Sequence, residues 1–112
     1  MDKLSRYREI VRQTIELYAS WGKSDNLDIV EEVVIDPIRD QYELRAIGWQ
    51  RSQRVDFSVV HIDIIDGKVW LQRDGTNRPV ARELVAAGVL KEDIVLAEKP
   101  PEVRPFTGYG VG

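Results

Sequence analysis

The stretch RVDFSVVHIDIIDGKVWLQ, residues 54–72, constrains the fold more than any other part of the chain. Apolar and polar residues alternate on both sides of Asp66-Gly67, and that pair favours the positive φ of a tight turn, so the stretch predicts an antiparallel hairpin. On regular strands Val55, Phe57, Val59, His61 and Asp63 share one face, and Ser58, Val60, Ile62 and Ile64 share the other. Upstream, QYELRAIGW predicts a strand with Tyr42, Leu44 and Ala46 on one side and Glu43, Arg45, Ile47 and Trp49 on the other. The turn QRSQR joins it to the hairpin. An earlier strand, VVI at 33–35, stops at Asp36-Pro37 because proline donates no ladder hydrogen bond.

On either side of these strands the period is helical. In residues 3–21, Leu4, Tyr7, Val11, Ile15 and Tyr18 form one stripe, widened by Ile10, Leu17 and Trp21. Gly22 is placed to end that helix in a left-handed conformation, and KSDN continues as a polar loop. After the hairpin, Thr76 or Asn77 can cap a second helix with Pro79 in its first turn, Val80, Leu84 and Val85 inward, and Gly88 closing it. KED then makes a short turn and IVLA a last edge strand. Residues 99–112 form a Pro/Gly-rich tail, expected to lie extended over the surface unless another chain holds it. The order reads as α+β: one domain, 1–112, with an antiparallel sheet of four to five strands and two helices packed on it.

With 43% apolar and 31% charged residues, a chain of 112 residues has an ordinary globular balance and length for one core. It contains no cysteine, which excludes disulfides, thiolate catalysis and Cys-based metal centres and fits a reducing cytoplasm. Neither a secretory leader nor an apolar run long enough to span a bilayer is expected. The net charge of −3 argues against non-specific coating of nucleic acid.

Three chemical sites merit weighing. His61 and Asp63 share a strand face, with Asp66 and Asp74 as further oxygen donors, but one histidine and scattered carboxylates make a poor metal or acid–base set. A partly buried histidine bonded to a neighbour is the simpler reading. Arg45, Arg51 and Arg54 beside Trp49 form a basic turn able to meet phosphates and an unstacked base, against the alternative of a solvated hairpin. Asp74-Gly75-Thr76 leads into a helix N-terminus where free amides, with Arg78 or Arg82, could hold an anion; a loop and cap is the simpler reading. Nucleophile-elbow, P-loop, zinc-helix and dinucleotide motifs are missing, and no cofactor is implied. Three tryptophans and four tyrosines exceed the needs of a small core and point to a protein interface. An exposed sheet edge would also suit a homo-oligomer.

Taken in order, YREIVRQTIELYA, DQYELRAIGW, RVDFSVVHIDIIDGKVWLQRDGT, ARELVAAGVLKEDIVLA and the proline-rich end with Arg104 and Phe106-Thr107 resemble the XisI family, named for the controlling factor of fdxN-element excision in cyanobacteria. The resemblance covers nearly the whole chain. It implies a small cytoplasmic α+β accessory protein that regulates a DNA rearrangement with a XisH-like partner and has no established catalytic residue. Gly48, Trp49, His61, Asp63, Asp66, Gly67, Trp70, Asp74, Gly75 and Thr76 match the family pattern as shape-determining or interface positions. The tail EKPPEVRPFTGYGVG departs from it, being richer in proline and glycine.

Overall fold

In a computed structural model, which describes residues 2–22 and 28–112, the first helical segment forms α1, Lys3–Trp21. Asp2 caps it by accepting a hydrogen bond from the Ser5 amide at 2.7 Å, satisfying one free donor of the first turn. Tyr7, Ile10, Val11, Thr14, Ile15 and Tyr18 are buried. Leu17 and Trp21, expected to widen the stripe, are exposed: Leu17 sits about 100° round the helix from Tyr18, and Trp21 stands at the helix end with its ring edge-on to Tyr18. Gly22 ends α1 at φ −87°, without the left-handed conformation expected of it. Its missing Cβ instead leaves room for Glu31, whose Oε1 lies 2.6 Å from where that atom would stand. The loop read at 23–26 lies outside the described residues.

Five strands follow in spatial order: β1 (Ile29–Asp36), β2 (Gln41–Gln50), β3 (Gln53–Ile65), β4 (Lys68–Asp74) and β5 (Ile94–Leu96). The first four are joined by short turns and pair antiparallel. The fifth departs from the all-antiparallel expectation and runs parallel to β4, with Val69 opposite Ile94. Helix α2 (Val80–Ala87) and a 3-10 turn at Lys91–Asp93 form the crossover that parallel pairing requires. Val80, Ala81 and Leu84 of α2 are buried and Val85 is exposed. Gly88 closes the helix in the left-handed conformation, φ 120°.

Both helices pack on one face of the sheet. Tyr7, Val11 and Ile15 of α1 and Leu84 of α2 meet Tyr42, Leu44, Val60, Ile62, Val69, Leu71 and Ile94 in a single core. Each such fully buried aliphatic or aromatic side chain contributes about 1.5–3 kcal/mol. Among the described residues no helix is long and apolar enough to cross a membrane.

Two β-bulges correct the strict alternation read from the sequence. The register of β2 and β3 shifts at Leu44/Arg45, so that Leu44 opposes Val60 and Arg45 opposes Ser58, leaving Val59 as the extra residue. Ser58 therefore joins the face away from the helices, while Val55 and Phe57 swap to the helix side, and Val59 packs against the core beside Val60. A second shift at His61/Ile62 makes Gln72 the extra residue in β4. Past it, Asp74 opposes core residue Val60 and so faces the helices.

One buried polar lock ties α1 to the crossover. The Tyr7 hydroxyl donates to Asp93 at 2.7 Å and accepts from the Leu90 amide at 3.1 Å, while Lys3 Nζ lies 2.6 Å from the same carboxylate. Burial alone would raise the Asp93 carboxyl, but Lys3 and Tyr7 outweigh it and hold it below the usual carboxylate range. Its stabilisation is therefore complete above the unfolded value of about 4 and is lost as pH falls through the lower folded value. Urea midpoints followed from about pH 6 to about pH 2 should drop in that window, and drop less steeply in Asp93→Asn. Equal slopes would place the acid sensitivity elsewhere.

The tail is held by its own chain. After a 3-10 turn at Arg104–Phe106, the Gly110 amide donates to the Ile94 carbonyl at 2.7 Å and Gly110 bridges Val95 in parallel. A Cβ on Gly110 would stand 2.4 Å from the Glu92 carbonyl oxygen, so this approach requires glycine. The outer edge of β5 is thereby covered.

Candidate functional site on the open face of the sheet

The face of the sheet away from the helices gathers a polar network across its middle strands. Glu43 opposes His61 and Arg45 opposes Ser58, which places all four on one surface. Glu43 Oε1 accepts from the Ser58 hydroxyl at 2.5 Å, lies 3.6 Å from Arg45 and stands 4.0 Å from His61 Nδ1. His61 Nε2 meets Asp63 Oδ1 at 2.9 Å, and the other oxygen of Asp63 accepts from the Gln72 amide at 3.2 Å. Arg45 also pairs with Asp56 at 2.5 Å, and the Arg73 guanidinium donates to the Ser58 carbonyl at 2.7 Å. The imidazole thus sits between two carboxylates, each bonded to other groups. Such an arrangement fixes a surface of defined charge pattern. Among the described residues no group of three or more histidine and acidic side chains is placed to hold a metal ion.

The residues singled out in the sequence fall into separate places. His61 and Asp63 are together as expected. Asp66 and Gly67 form the β3–β4 turn with φ of 52° and 77°, and Asp74 faces the helices, so neither aspartate joins His61. Asp74 instead holds the 74–80 loop: Oδ1 accepts from the Thr76 amide and hydroxyl at 2.9 and 2.6 Å, and Oδ2 accepts from the Val80 amide at 2.8 Å. That carboxylate occupies the helix-start amide that the anion-site reading needed. Pro79 holds the N-cap position just before α2, not its first turn, and has no side-chain oxygen to cap with, so Asp74, from outside the helix, supplies the acceptor in place of the expected Thr76 or Asn77. The Gly75 amide donates to the Val59 carbonyl at 2.7 Å, locking the loop to the first bulge.

Arg45 lies inside the polar network, whereas Arg51, at φ 57°, and Arg54 sit at the tip of the β2–β3 hairpin. Six residues of strand put Arg51 roughly 20 Å from Arg45, so the three do not form one patch. Each tryptophan lies outside the core and carries a guanidinium: Arg54 is 5.5 Å from Trp49, Arg78 is 4.3 Å from Trp21, and Arg104 is 5.3 Å from Trp70. Trp49 is half exposed at one end of the open face. Trp70 is partly buried at the other end, with the chain's last residue, Gly112, against its ring. Sequence reasoning missed Glu43, Asp56, Ser58, Gln72 and Arg73 as members of the network. Alternation carried the signal for Glu43, but the bulges that recruit Ser58 and release Asp74 left none.

A five-stranded sheet with helices on one side and a self-paired polar surface on the other defines a small α+β protein whose ionisable groups gather on a face instead of in a cleft. The chain belongs to the XisI family, whose profile, described as XisI protein, matches residues 1–111. The crystal structure of a XisI-like protein from Anabaena variabilis ATCC 29413 superposes with a TM-score of 0.91 at 42% identity, covering 97% of this chain and 99% of that one. That of fdxN element excision controlling factor XisI from the same organism gives 0.88 at 31% identity, covering 99% and 100%. No curated protein matches the chain.

Proposed function

We propose that this protein is a non-enzymatic accessory factor of the cytoplasm that controls excision of a DNA element by binding a XisH-like companion. The observation that carries this reading is the end-to-end match with a protein described as an excision controlling factor. The open face supports it: the His61 and Asp63 side chains are engaged in a network with Glu43, Arg45 and Gln72, and the exposed Trp49 offers the large aromatic surface enriched at protein interfaces. Size-exclusion chromatography with light scattering, on the protein alone and co-expressed with the companion, is expected to give a defined mixed complex. Two folded proteins eluting separately at every salt concentration would overturn the companion role. The same run on the protein alone reads any homo-oligomer.

A second reading, direct DNA binding, draws support from the hairpin tip, where Arg51 and Arg54 flank the half-exposed Trp49. It predicts affinity that falls steeply with salt and disappears in the Arg51→Ala/Arg54→Ala variant. Undetectable binding at low salt would remove it.

A further inference from the structure

The two edges of the sheet are treated differently. The tail covers β5, but among the described residues nothing pairs with the outer edge of β1. The Trp49 amide bonds the Asp28 carbonyl at 3.1 Å. Alternation along an antiparallel ladder then turns the backbone groups of Val30, Glu32 and Val34 toward β2 and those of Ile29, Glu31, Val33 and Ile35 outward. Within Ile29–Asp36 there is no lysine, proline or bulge of the kind that blunts an edge. Val30, Val33 and Val34 are exposed along it.

A cavity of about 430 Å³ opens beside this edge on the helix side, lined by Tyr18, Trp21, Leu44, Val59 and Arg78, with Glu31 in its wall. The Glu31 carboxylate lies against Gly22 at the C-terminal end of α1, where the helix dipole disfavours an anion. Among the described residues neither Glu31 nor Glu32 has an ion pair. Burial raises the Glu31 carboxyl. A strand added along β1 would place the side chain opposite Glu31 on the helix side, at the mouth of this cavity. Two copies joined through the same edge would bring four carboxylates to neighbouring positions, so the charge selects against self-pairing and for a basic strand.

Resting on the accessory reading above, we infer that the β1 edge is the docking site for an extended segment of the companion, which adds as a sixth strand and sets a lysine or arginine against Glu31 in the aromatic cavity. Main-chain bonds along the edge supply affinity and the basic side chain supplies selectivity.

Amide hydrogen exchange read by NMR tests this with a synthetic peptide of alternating valine and lysine, blocked at both ends. The amides of Glu31, Val33 and Ile35 should exchange fast in the protein alone and become protected on titration, while those of Glu32 and Val34 are protected throughout. Glu31→Gln should weaken binding about tenfold. Val33→Pro, which deletes one outward amide and spares the bonds to β2, should abolish it, with unchanged circular dichroism showing that the variant folds. Absent or misplaced protection, or undiminished affinity in Glu31→Gln, would overturn the inference. Protection without peptide, at twice the monomer mass, would assign the edge to a second copy and overturn it as well. A companion that co-elutes while these amides stay unprotected would refute the edge and leave the accessory reading intact. Peptide protection without co-elution would do the reverse.

Discussion

Asp74→Ala is expected to cost about 2–4 kcal/mol, because hydrogen bonds to a charged acceptor contribute about 1.5–3 kcal/mol and the change leaves donors without partners. Three donors lose their acceptor together: the Thr76 amide, the Thr76 hydroxyl and the amide of Val80, a fully buried residue that begins α2. The Thr76 hydroxyl can turn its single proton to the Arg78 carbonyl, 2.7 Å away, so most of the loss falls on the two amides. A cap lost from a helix costs about 1 kcal/mol by itself. The excess measures how far the loop and the second bulge depend on the same carboxylate. Asp74→Asn, which keeps one acceptor oxygen, should recover part of the loss. Chemical denaturation of the three proteins under identical conditions decides the matter: a change below about 0.5 kcal/mol in Asp74→Ala, the scale of an ordinary surface substitution, would refute the clip. If the loop were an anion site, the alanine variant would bind phosphate more tightly, since it removes a negative charge from the helix start. The clip predicts no such gain.

How Asp74 came to this role shows where sequence reasoning stops. Strand existence and order were legible, because period-2 runs and the Asp66-Gly67 pair leave few alternatives, and α1 was legible from its stripe and the following glycine. The α+β class follows from those elements. What alternation cannot register is a single inserted residue. Val59 and Gln72 each read as ordinary strand residues, yet as bulges they reverse which neighbours share a face. That reversal assembles Ser58 with Glu43 and Arg45, and it sends Asp74 away from His61 to cap α2. The parallel pairing of β5 was hidden for a related reason, since three residues of strand carry no direction of their own. In the tail, proline content argued against ladder pairing. A single bridge at Gly110 was still enough to tie it to the sheet, because that glycine lets the backbone approach closely.

The same close-approach logic predicts the second large effect, at Gly48. Its φ is +152°, and a Cβ there would stand 1.9 Å from the Asp28 carbonyl oxygen and 2.8 Å from the Ile29 Cα, both backbone atoms with no flexible end to move aside. Gly48→Ala must therefore push the start of β1 off β2 and break the bond from the Trp49 amide to Asp28. Backbone strain of about 1–3 kcal/mol together with about 1 kcal/mol for the lost bond gives an expected cost of about 2–4 kcal/mol. Gly67→Ala is the matched comparison: φ there is +77°, but nothing lies within 4 Å of the added atom. Only the left-handed conformation is penalised, at about 1–2 kcal/mol. Denaturant midpoints of the two variants should separate accordingly, and hydrogen exchange in Gly48→Ala should accelerate at Trp49 and along β1 while β3 and β4 keep their protection. Equal costs in the two glycine variants would mean that conformation alone, and not the approach of β1, explains Gly48. If the separation is found, Gly48 sets the seating of β1 on the sheet, and Gly48→Ala should also weaken binding of the valine–lysine peptide even though Gly48 itself touches no part of the outer edge.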